Sequence, residues 1–543
     1  MTNNYTKPIK GTILRISPLQ NKIFYLSLSF FAVPVITFFV MSGLFWKHIV
    51  TFSVISVIIF SAIVIFCLNE RKNIKGAVTV LFILTAAFVS SLLTYTYGYR
   101  NAKAVVEYAN GSSHHFLSHV VKEDSQISGS LFVEIESIDG IKLDIPVTAQ
   151  GFNYTGHYLD AGTYLEFDGK LRMSEDAESV YVEWLKSKGV HVNIYSMKNP
   201  KLDSDKNVAV VGSGLKRFFR KSMFDVFSII PEKSRFERAF SISCAMMFGD
   251  KSELDEDLKN EFTQSGIIHI LCVSGLHFSV LLGGLSVVFR YTLKKRRLRK
   301  IFLFACAVIY LLMCGFTRSA LRAAVMAFVA GAGMWGKNKK YCTFSLMFAV
   351  CVICIADPNA VFDSGFRMSC ICCTGILCSS LLSEAVCKRF ALNPIICCII
   401  SSFIVSLSAS AFLFPYCLTS FDGVSIVSVV ASTIAVIPAQ VFLILCWVST
   451  IVSFLKIEFI GVILSGILAS ISDYICAVAK FFSGLRYSYI EFETPDLSFL
   501  IFMVTLAVAA VVSGSKSRAL SFYIYIVSAS VLAMSVLLVV KMQ

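Results

Sequence analysis

Charge is scarce in this chain. Of its 543 residues only 15% are Asp, Glu, Lys or Arg, while 56% are hydrophobic, and the mean hydropathy is +0.72. Soluble domains carry about 25% charged residues. A water-solvated shell around a core of this size is therefore excluded, and lipid is the solvent that tolerates such a composition. Other absences narrow the function. No acidic residue occurs between Ile267 and Phe316, so a membrane-embedded transferase using a histidine base there would lack a nearby carboxylate. The eight histidines contain no His-x-His-x-Asp-His pattern, which gives no support to metal hydrolysis. No nucleotide-binding loop is present, so an ATP-driven motor is expected on a partner polypeptide. No pattern is duplicated between the two halves, as a secondary transporter built from repeats would show. The segment Asn101–Val210 has no cysteine, and hence no disulfide framework.

What is present is a series of apolar runs. Ile23–Leu44, Phe52–Leu68 and Val78–Tyr97 come first. After a long polar interval they resume at Ile267–Phe289, Ile301–Phe316, Ala320–Trp335, Cys342–Ile355 and Gly365–Leu382. Ile395–Pro415, Val424–Ser453, Phe459–Ala479, Phe499–Val512 and Ala519–Val540 complete the series. Each is near the ~20 residues a helix needs to cross the hydrocarbon, or somewhat short of it. Short ones suit tilted, discontinuous or re-entrant segments. Roughly eleven to thirteen crossings are expected, with Val424–Ala479 the hardest stretch to divide. The fold class expected is a polytopic α-helical membrane protein with a small external β-barrel domain.

Basic residues mark cytoplasmic loops. They gather at Lys7, Lys10, Arg15 and Lys22, at Arg71, Lys72 and Lys75, and above all from Arg290 to Lys300. Lys337, Lys339 and Lys340, then Lys388 and Arg389, then Lys516 and Arg518 follow. With these inside, the N-terminus is cytoplasmic and the polar block after Tyr97 is external. The first run is too long for a signal peptide and lacks a small-residue cleavage site.

The external block reads as mostly β. Leu131, Val133 and Ile135 alternate with Phe132, Glu134 and Glu136, a period of two. Asp139-Gly140 predicts a hairpin turn. Ile141, Leu143, Ile145 and Val147 then alternate with Lys142, Asp144 and Pro146. Tyr164–Phe167 is read as a strand turning at Asp168-Gly169 into Lys170–Met173. A short helix over Tyr181–Ser187 and a closing strand Val190–Tyr195 complete a small barrel, of which the OB-fold is one kind. The block holds 10 Lys/Arg against 16 Asp/Glu, a net of −6. Phosphate binding wants the opposite sign. Tyr154, Tyr158, Tyr181 and Trp184 could stack bases if exposed, but a place in the barrel core is the plainer expectation. His114, His115 and His119 suggest metal, against the simpler reading of a flexible polar surface.

Beyond the barrel, Leu215–Ile230 is a basic amphipathic helix suited to the membrane interface. Phe236–Phe248 is a second amphipathic stretch. It leads through Gly249-Asp250 to the acidic Glu253–Glu261. Three polar constellations then interrupt the apolar runs. His269, Ser274, Gly275 and His277 lie within an otherwise lipid-like segment. On one continuous helix the two histidines and Ser274 would share a side, either as hydrogen-bonded packing or as a substrate contact. Arg318 and Arg322 stack at i,i+4 at a helix start, Arg318 able to snorkel and Arg322 a turn deeper. Asp357-Pro358-Asn359 leads through Asp363 to Gly365, Phe366, Arg367 and Ser369. Cys370, Cys372 and Cys373 have no histidine close by and are read as packing rather than metal.

Together these motifs resemble the competence domain of the ComEC family of DNA-uptake channel proteins. The pattern comprises Gly-Asp before an acidic amphipathic stretch, SGIIHILCVSGLHF, RSALRAAVM and DSGFRMS, in that order. ESVYVEWLKSKGVHV is similar to the end of the family's external OB-like domain. The resemblance covers most of the chain from Val78 onward. It implies transport of single-stranded transforming DNA across the bacterial plasma membrane, with His269, Ser274, Gly275, His277, Arg318, Arg322, Gly365, Phe366, Arg367 and Ser369 shaping the path. Four regions are expected: 1–98, a three-helix membrane region; 99–210, the OB-like domain; 211–262, interfacial helices; and 263–543, the channel domain. Many relatives continue into a metallo-β-lactamase-like domain, but here Gln543 follows closely on Val540. A transport channel rather than an enzyme is expected. No cofactor is expected, and a separate DNA receptor, nuclease and ATP-driven helicase or motor would be partners. An anionic-metabolite transporter is the rival reading.

Overall fold

The structure is a computed structural model and describes residues 30, 32–38, 40–41, 74–122, 130–152, 162–174, 179–207, 211–251, 253–331, 340–389, 393–420 and 423–491. The runs Phe52–Leu68, Phe499–Val512 and Ala519–Val540 lie outside the described residues, as do Tyr154 and Tyr158.

Helix α1 (Ile74–Tyr95) passes through one π turn directly into α2 (Asn101–Ala109). The apolar run and the start of the polar block are therefore one continuous rod. Asn110, left-handed at φ 42°, ends it. Five strands follow: β1 (His114–Lys122), β2 (Ser130–Ile138), β3 (Ile141–Phe152), β4 (Thr163–Met173) and β5 (Val192–Asn207), with α3 (Ser179–Ser187) between the last two. They close into a barrel in the order β1-β2-β3-β5-β4, with β4 returning to pair with β1. Phe116, Leu131, Val133, Ile135, Leu165 and Phe167 fill its interior.

Three local expectations need correction. Asp168-Gly169 is no turn, because β4 runs unbroken through it. A Cβ at Gly169 would lie 2.7 Å from the Ser196 carbonyl oxygen, so glycine serves a close strand approach there. The alternation of Ile141 to Ile145 is not a buried face. Ile141 and Ile145 are exposed, since this half of β3 pairs only with β2 and burial begins at Val147. Trp184 lies on the outside of the barrel on α3, packed on Phe132 at a ring distance of 5.6 Å, and is not core. Asp139 and Gly140 both take positive φ, as the predicted hairpin requires.

The rest of the described chain is helical. The order is α4 (Val211–Phe227), α5 (Lys233–Phe248), α6 (Glu256–Gln264), α7 (Gly275–Thr292), α8 (Arg296–Met313), α9 (Arg318–Gly331), α10 (Lys340–Ala356), α11 (Ser364–Arg389), α12 (Pro394–Ser420), α13 (Ser428–Phe454) and α14 (Glu458–Ser483). A two-stranded pairing of β6 (Gly423–Ser425) with β7 (Tyr489–Glu491) ties the start of α13 to the end of α14. The stretch hardest to divide by hydropathy is two helices joined over 455–457, matching the runs Val424–Ser453 and Phe459–Ala479. Among the described residues, Ile399–Cys417, Ser428–Phe454 and Phe459–Ser483 are long and apolar enough to cross a membrane. With the composition, this makes a membrane protein.

The helices build two main cores. In one, α4, α5 and α6 pack on α13 and α14. In the other, α10, α11 and α12 pack around a 3-10 turn, Pro358–Phe362. Helix α4 presents Phe218 and Phe224 outward, but Met223 and Phe227 are buried, and Met223 meets the hydroxyls of Ser449 and Thr450. Helix α5 is buried on every side from Ala239 to Phe248, so its second half is core rather than amphipathic.

Candidate functional site

The segment that hydropathy assigned to one span, Ile267–Phe289, is broken. Gly266, at φ +75°, presses on the start of α13, where a Cβ would come 2.3 Å from that of Ser428. A 3-10 turn, Ile268–Leu271, follows, then extended backbone at Cys272 and Ser274. Helix α7 begins only at Gly275. Ser274 is its cap, with Oγ accepting from the His277 amide at 3.4 Å. Serine and glycine here satisfy and start a helix terminus rather than continue one. His269, Ser274 and His277 therefore do not share one helical face. His269 is exposed, with Nδ1 3.2 Å from the Gly266 carbonyl. His277 is buried, and its Nδ1 has no hydrogen-bond partner.

Arg318 starts α9 and neither snorkels nor faces an open path. Its Nε and Nη2 donate to Asp357 Oδ2 at 2.9 and 2.7 Å, and its Nη1 donates to Asp363 Oδ2 at 2.9 Å. Nη2 also reaches the Ser187 carbonyl at the end of α3. Beside it, Gly189 in the α3–β5 turn lies against Asn359. The barrel is thus seated on the elbow between α10 and α11. Burial pushes the half-buried Lys188 ammonium below its usual range; Asp363 and Asp357 oppose that shift, while the Arg318 charge adds to it.

Arg322, one turn deeper, is only 3% exposed. Its Nε and Nη1 have no hydrogen-bond partner, and the guanidinium's contact is with the Cys370 thiol. Its Nη2 lies 3.2 Å from where a Cβ on Gly275 would stand. Ser319 Oγ donates to the Val273 carbonyl at 2.8 Å, pinning the extended segment to α9. The structure therefore brings together Ser274, Gly275 and Arg322 from two of the constellations.

The third constellation is mainly scaffold. Arg367 is buried and its Nε donates to the Val361 carbonyl at 2.6 Å, and Phe366 is fully buried. Gly365 is exposed, its amide donating to Asp363 Oδ1 at 3.2 Å, and Ser369 is half-buried on α11. Arg318 and Arg367 thus both turn inward, the one to Asp357 and Asp363 and the other to the Val361 carbonyl.

Sequence reasoning quoted Asp357 and Asp363 without joining them to Arg318, because their separation of about forty positions carries no periodic signal. It also missed what Asp250 does. Buried after Gly249, Asp250 Oδ2 lies 2.9 Å from Lys216 Nζ and 3.6 Å from Arg220 Nη1 of α4. Arg235 of α5 pairs with Asp473 of α14 at 2.6 Å. Lys216, Arg220 and Asp473 of these pairs line a cleft of about 1610 Å³ between α4, α5, α6 and α14. The Gly-Asp step was the available signal.

On the barrel, the three histidines of β1 are neither a metal cluster nor a flexible surface. Each meets a carboxylate: His114 with Asp139 at 2.6 Å, His115 with Asp168 at 2.9 Å, and His119 with Glu136 at 2.9 Å. Hydrogen bonds from His114 and His115 hold Asp139 and Asp168 below the usual carboxylate range. His191 is buried at the barrel's base against Tyr99, and burial, with Lys186 adding, pushes its imidazole down to about 4.

No solved structure matches this chain. It is similar to ComE operon protein 3 of Bacillus subtilis (strain 168), 24% identical over 359 residues. That alignment covers 64% of this chain and 43% of the relative, so the chain spans less than half of that relative's length. The Competence protein family matches residues 246–516, the region holding the broken segment, both arginines and the Asp357–Ser369 elbow. Over that region the chain belongs to the competence protein family.

Proposed function

We propose that this protein passes single-stranded transforming DNA across the bacterial plasma membrane. The observation that supports this most directly is Arg322, a cation buried among helices with, among the described residues, two nitrogens unpartnered and no carboxylate in contact. A buried, uncompensated charge is costly and is retained where it serves a permeating or bound ion. A polyanion crossing a low-dielectric slab needs such groups along its way.

On this reading His269, Ser274, Gly275, His277 and Arg322 line the path, while Arg318, Gly365, Phe366, Arg367 and Ser369 hold its walls. The barrel, whose strand order fits an OB-like domain, sits on the outer face with the N-terminus inside. The basic loops around Arg290–Lys300 then face the cytoplasm. The barrel's net charge of −6 would keep its own hold on the strand weak. A DNA receptor, a nuclease and an ATP-driven helicase would act as separate polypeptides.

The test is Arg322→Gln in a transformable host, with membrane abundance and transformation measured in the same strains. Transport predicts an abundant protein and a sharp loss of transformants. Arg322→Lys should keep part of the activity, because a point charge still meets a phosphate. Normal transformation in the Gln strain would remove Arg322 from the path, and normal transformation in a deletion strain would end the reading altogether.

A further inference from the structure

The four leading amides of a helix have no intrahelical acceptor, and the helix dipole makes that end positive. At the start of α7, Ser274 Oγ serves the His277 amide. Arg322 reaches this same end, its Nη2 3.2 Å from the Cβ position of Gly275, leaving Nε and Nη1 unpartnered inside the protein. Two positive groups thus converge in one buried place. Among the described residues the contact made by the guanidinium is with a thiol, Cys370, rather than a carboxylate. Such an arrangement is electrostatically incomplete, and an anion completes it. A Cβ at 275 would press on Nη2 and shift the guanidinium by a few tenths of an ångström, so glycine favours the close approach. At this helix end Ser274 is half-buried and Leu276 exposed, beside the buried guanidinium.

We infer that the α7 terminus and Arg322 form a clamp for one phosphodiester group of a single nucleic-acid strand. The terminal amides would take one anionic oxygen, and the guanidinium fork another. This inference rests on the transport reading for the identity of its ligand, but not for the anion site itself. A lipid phosphate shares the chemistry. It is disfavoured because Arg322 is enclosed by α7, α9 and α11 and not turned to the perimeter.

The experiment uses the full chain purified in a non-ionic detergent, with thermal unfolding followed during titration. The probes are inorganic phosphate, oligothymidylate, and oligothymidylate with a neutral methylphosphonate backbone, each against chloride at equal ionic strength. Phosphate and oligothymidylate should raise the midpoint, since a ligand of the folded state stabilises it, and the neutral oligomer should not. Arg322→Gln should weaken both responses by about tenfold or more in apparent affinity. Arg322→Lys should weaken them less, and Gly275→Ala should weaken them with the charge intact.

Equal responses in wild type and Arg322→Gln, or none in wild type, overturn the clamp. Stabilisation by phosphatidylglycerol micelles alone overturns it in favour of a headgroup site. Transformation separates the two readings. A phosphate response lost in Arg322→Gln with normal transformation keeps the clamp and defeats transport through it. Transformation lost in that variant, with no phosphate response in wild type, keeps transport and defeats the clamp.

Discussion

Arg318 clasps Asp357 through two nitrogens on a single oxygen, Nε at 2.9 Å and Nη2 at 2.7 Å from Oδ2. With Asp363 and the Ser187 carbonyl, this ties the barrel to the elbow between α10 and α11. Arg318 is largely buried, whereas the Asp357 carboxylate is 41% exposed, so losing the arginine leaves Asp363 without its partner while losing Asp357 leaves Arg318 still paired.

Arg318→Gln should therefore lower stability by roughly 1–3 kcal/mol and Asp357→Asn by roughly 1 kcal/mol or less, and the double variant should lose clearly less than the sum. Thermal unfolding of the purified chain gives both numbers. Limited proteolysis should show the barrel released first. Additive losses would mean that the pair does not couple the two parts.

His191 is expected to make the barrel's seating acid-sensitive. Its folded-state pKa of about 4 lies below the ordinary value of 6.5, because burial disfavours the imidazolium. The unfolded chain thus binds the proton first. Stability is complete above pH 6.5 and falls as the pH drops toward 4, by on the order of 3 kcal/mol. Asp139 and Asp168 add a further loss only below the usual carboxylate range, since their pKa values are lowered as well. Unfolding measured across this range should flatten between pH 6.5 and 4 in His191→Phe. An unchanged slope would assign the dependence to other groups.

Gly169→Ala should destabilise the barrel. The added methyl would stand 2.7 Å from the Ser196 carbonyl and 3.0 Å from the Phe167 ring. Backbone and a packed aromatic ring yield little, so a cost of roughly 1–3 kcal/mol is expected. Gly140→Ala, by contrast, meets nothing within 4 Å and tests only the left-handed turn. Equal unfolding midpoints for Gly169→Ala and wild type would refute the close-approach account.

The proposed orientation is checked by labelling single cysteines in whole cells. Positions near Lys295 should be shielded and positions near Asp139 should react. The structure brings Cys387 and Cys397 to disulfide distance, with Cα atoms 5.7 Å apart, next to the basic Lys388-Arg389 step. A cytoplasmic loop is kept reduced, so both should be found as thiols in cells. A bond there, or labelling at Lys295, would invert the topology.

Much of this protein is legible along the chain because its signals are local. Hydropathy marks the helices from α8 to α12 within a few residues, and charge marks their loops. A period of two marks β2, and Asp139-Gly140 marks its turn. Four ordered motifs point to the competence family. Each of these depends on neighbours within one turn or one hairpin. Tertiary structure alone decided the rest. It set where the apolar run before α7 breaks, because Gly266 meets Ser428 from 162 positions away. It turned Asp168-Gly169 from a turn into a strand by bringing β5 alongside. Most of all, it parted the two arginines that one helix start presents together. Arg318 finds Asp357, Asp363 and the barrel, elements with no periodic relation to it, and becomes structural. Arg322, four residues on, faces the end of α7 and a thiol, with no carboxylate against it among the described residues. Neighbours in sequence share a helix face, but what lies opposite that face is fixed only by packing.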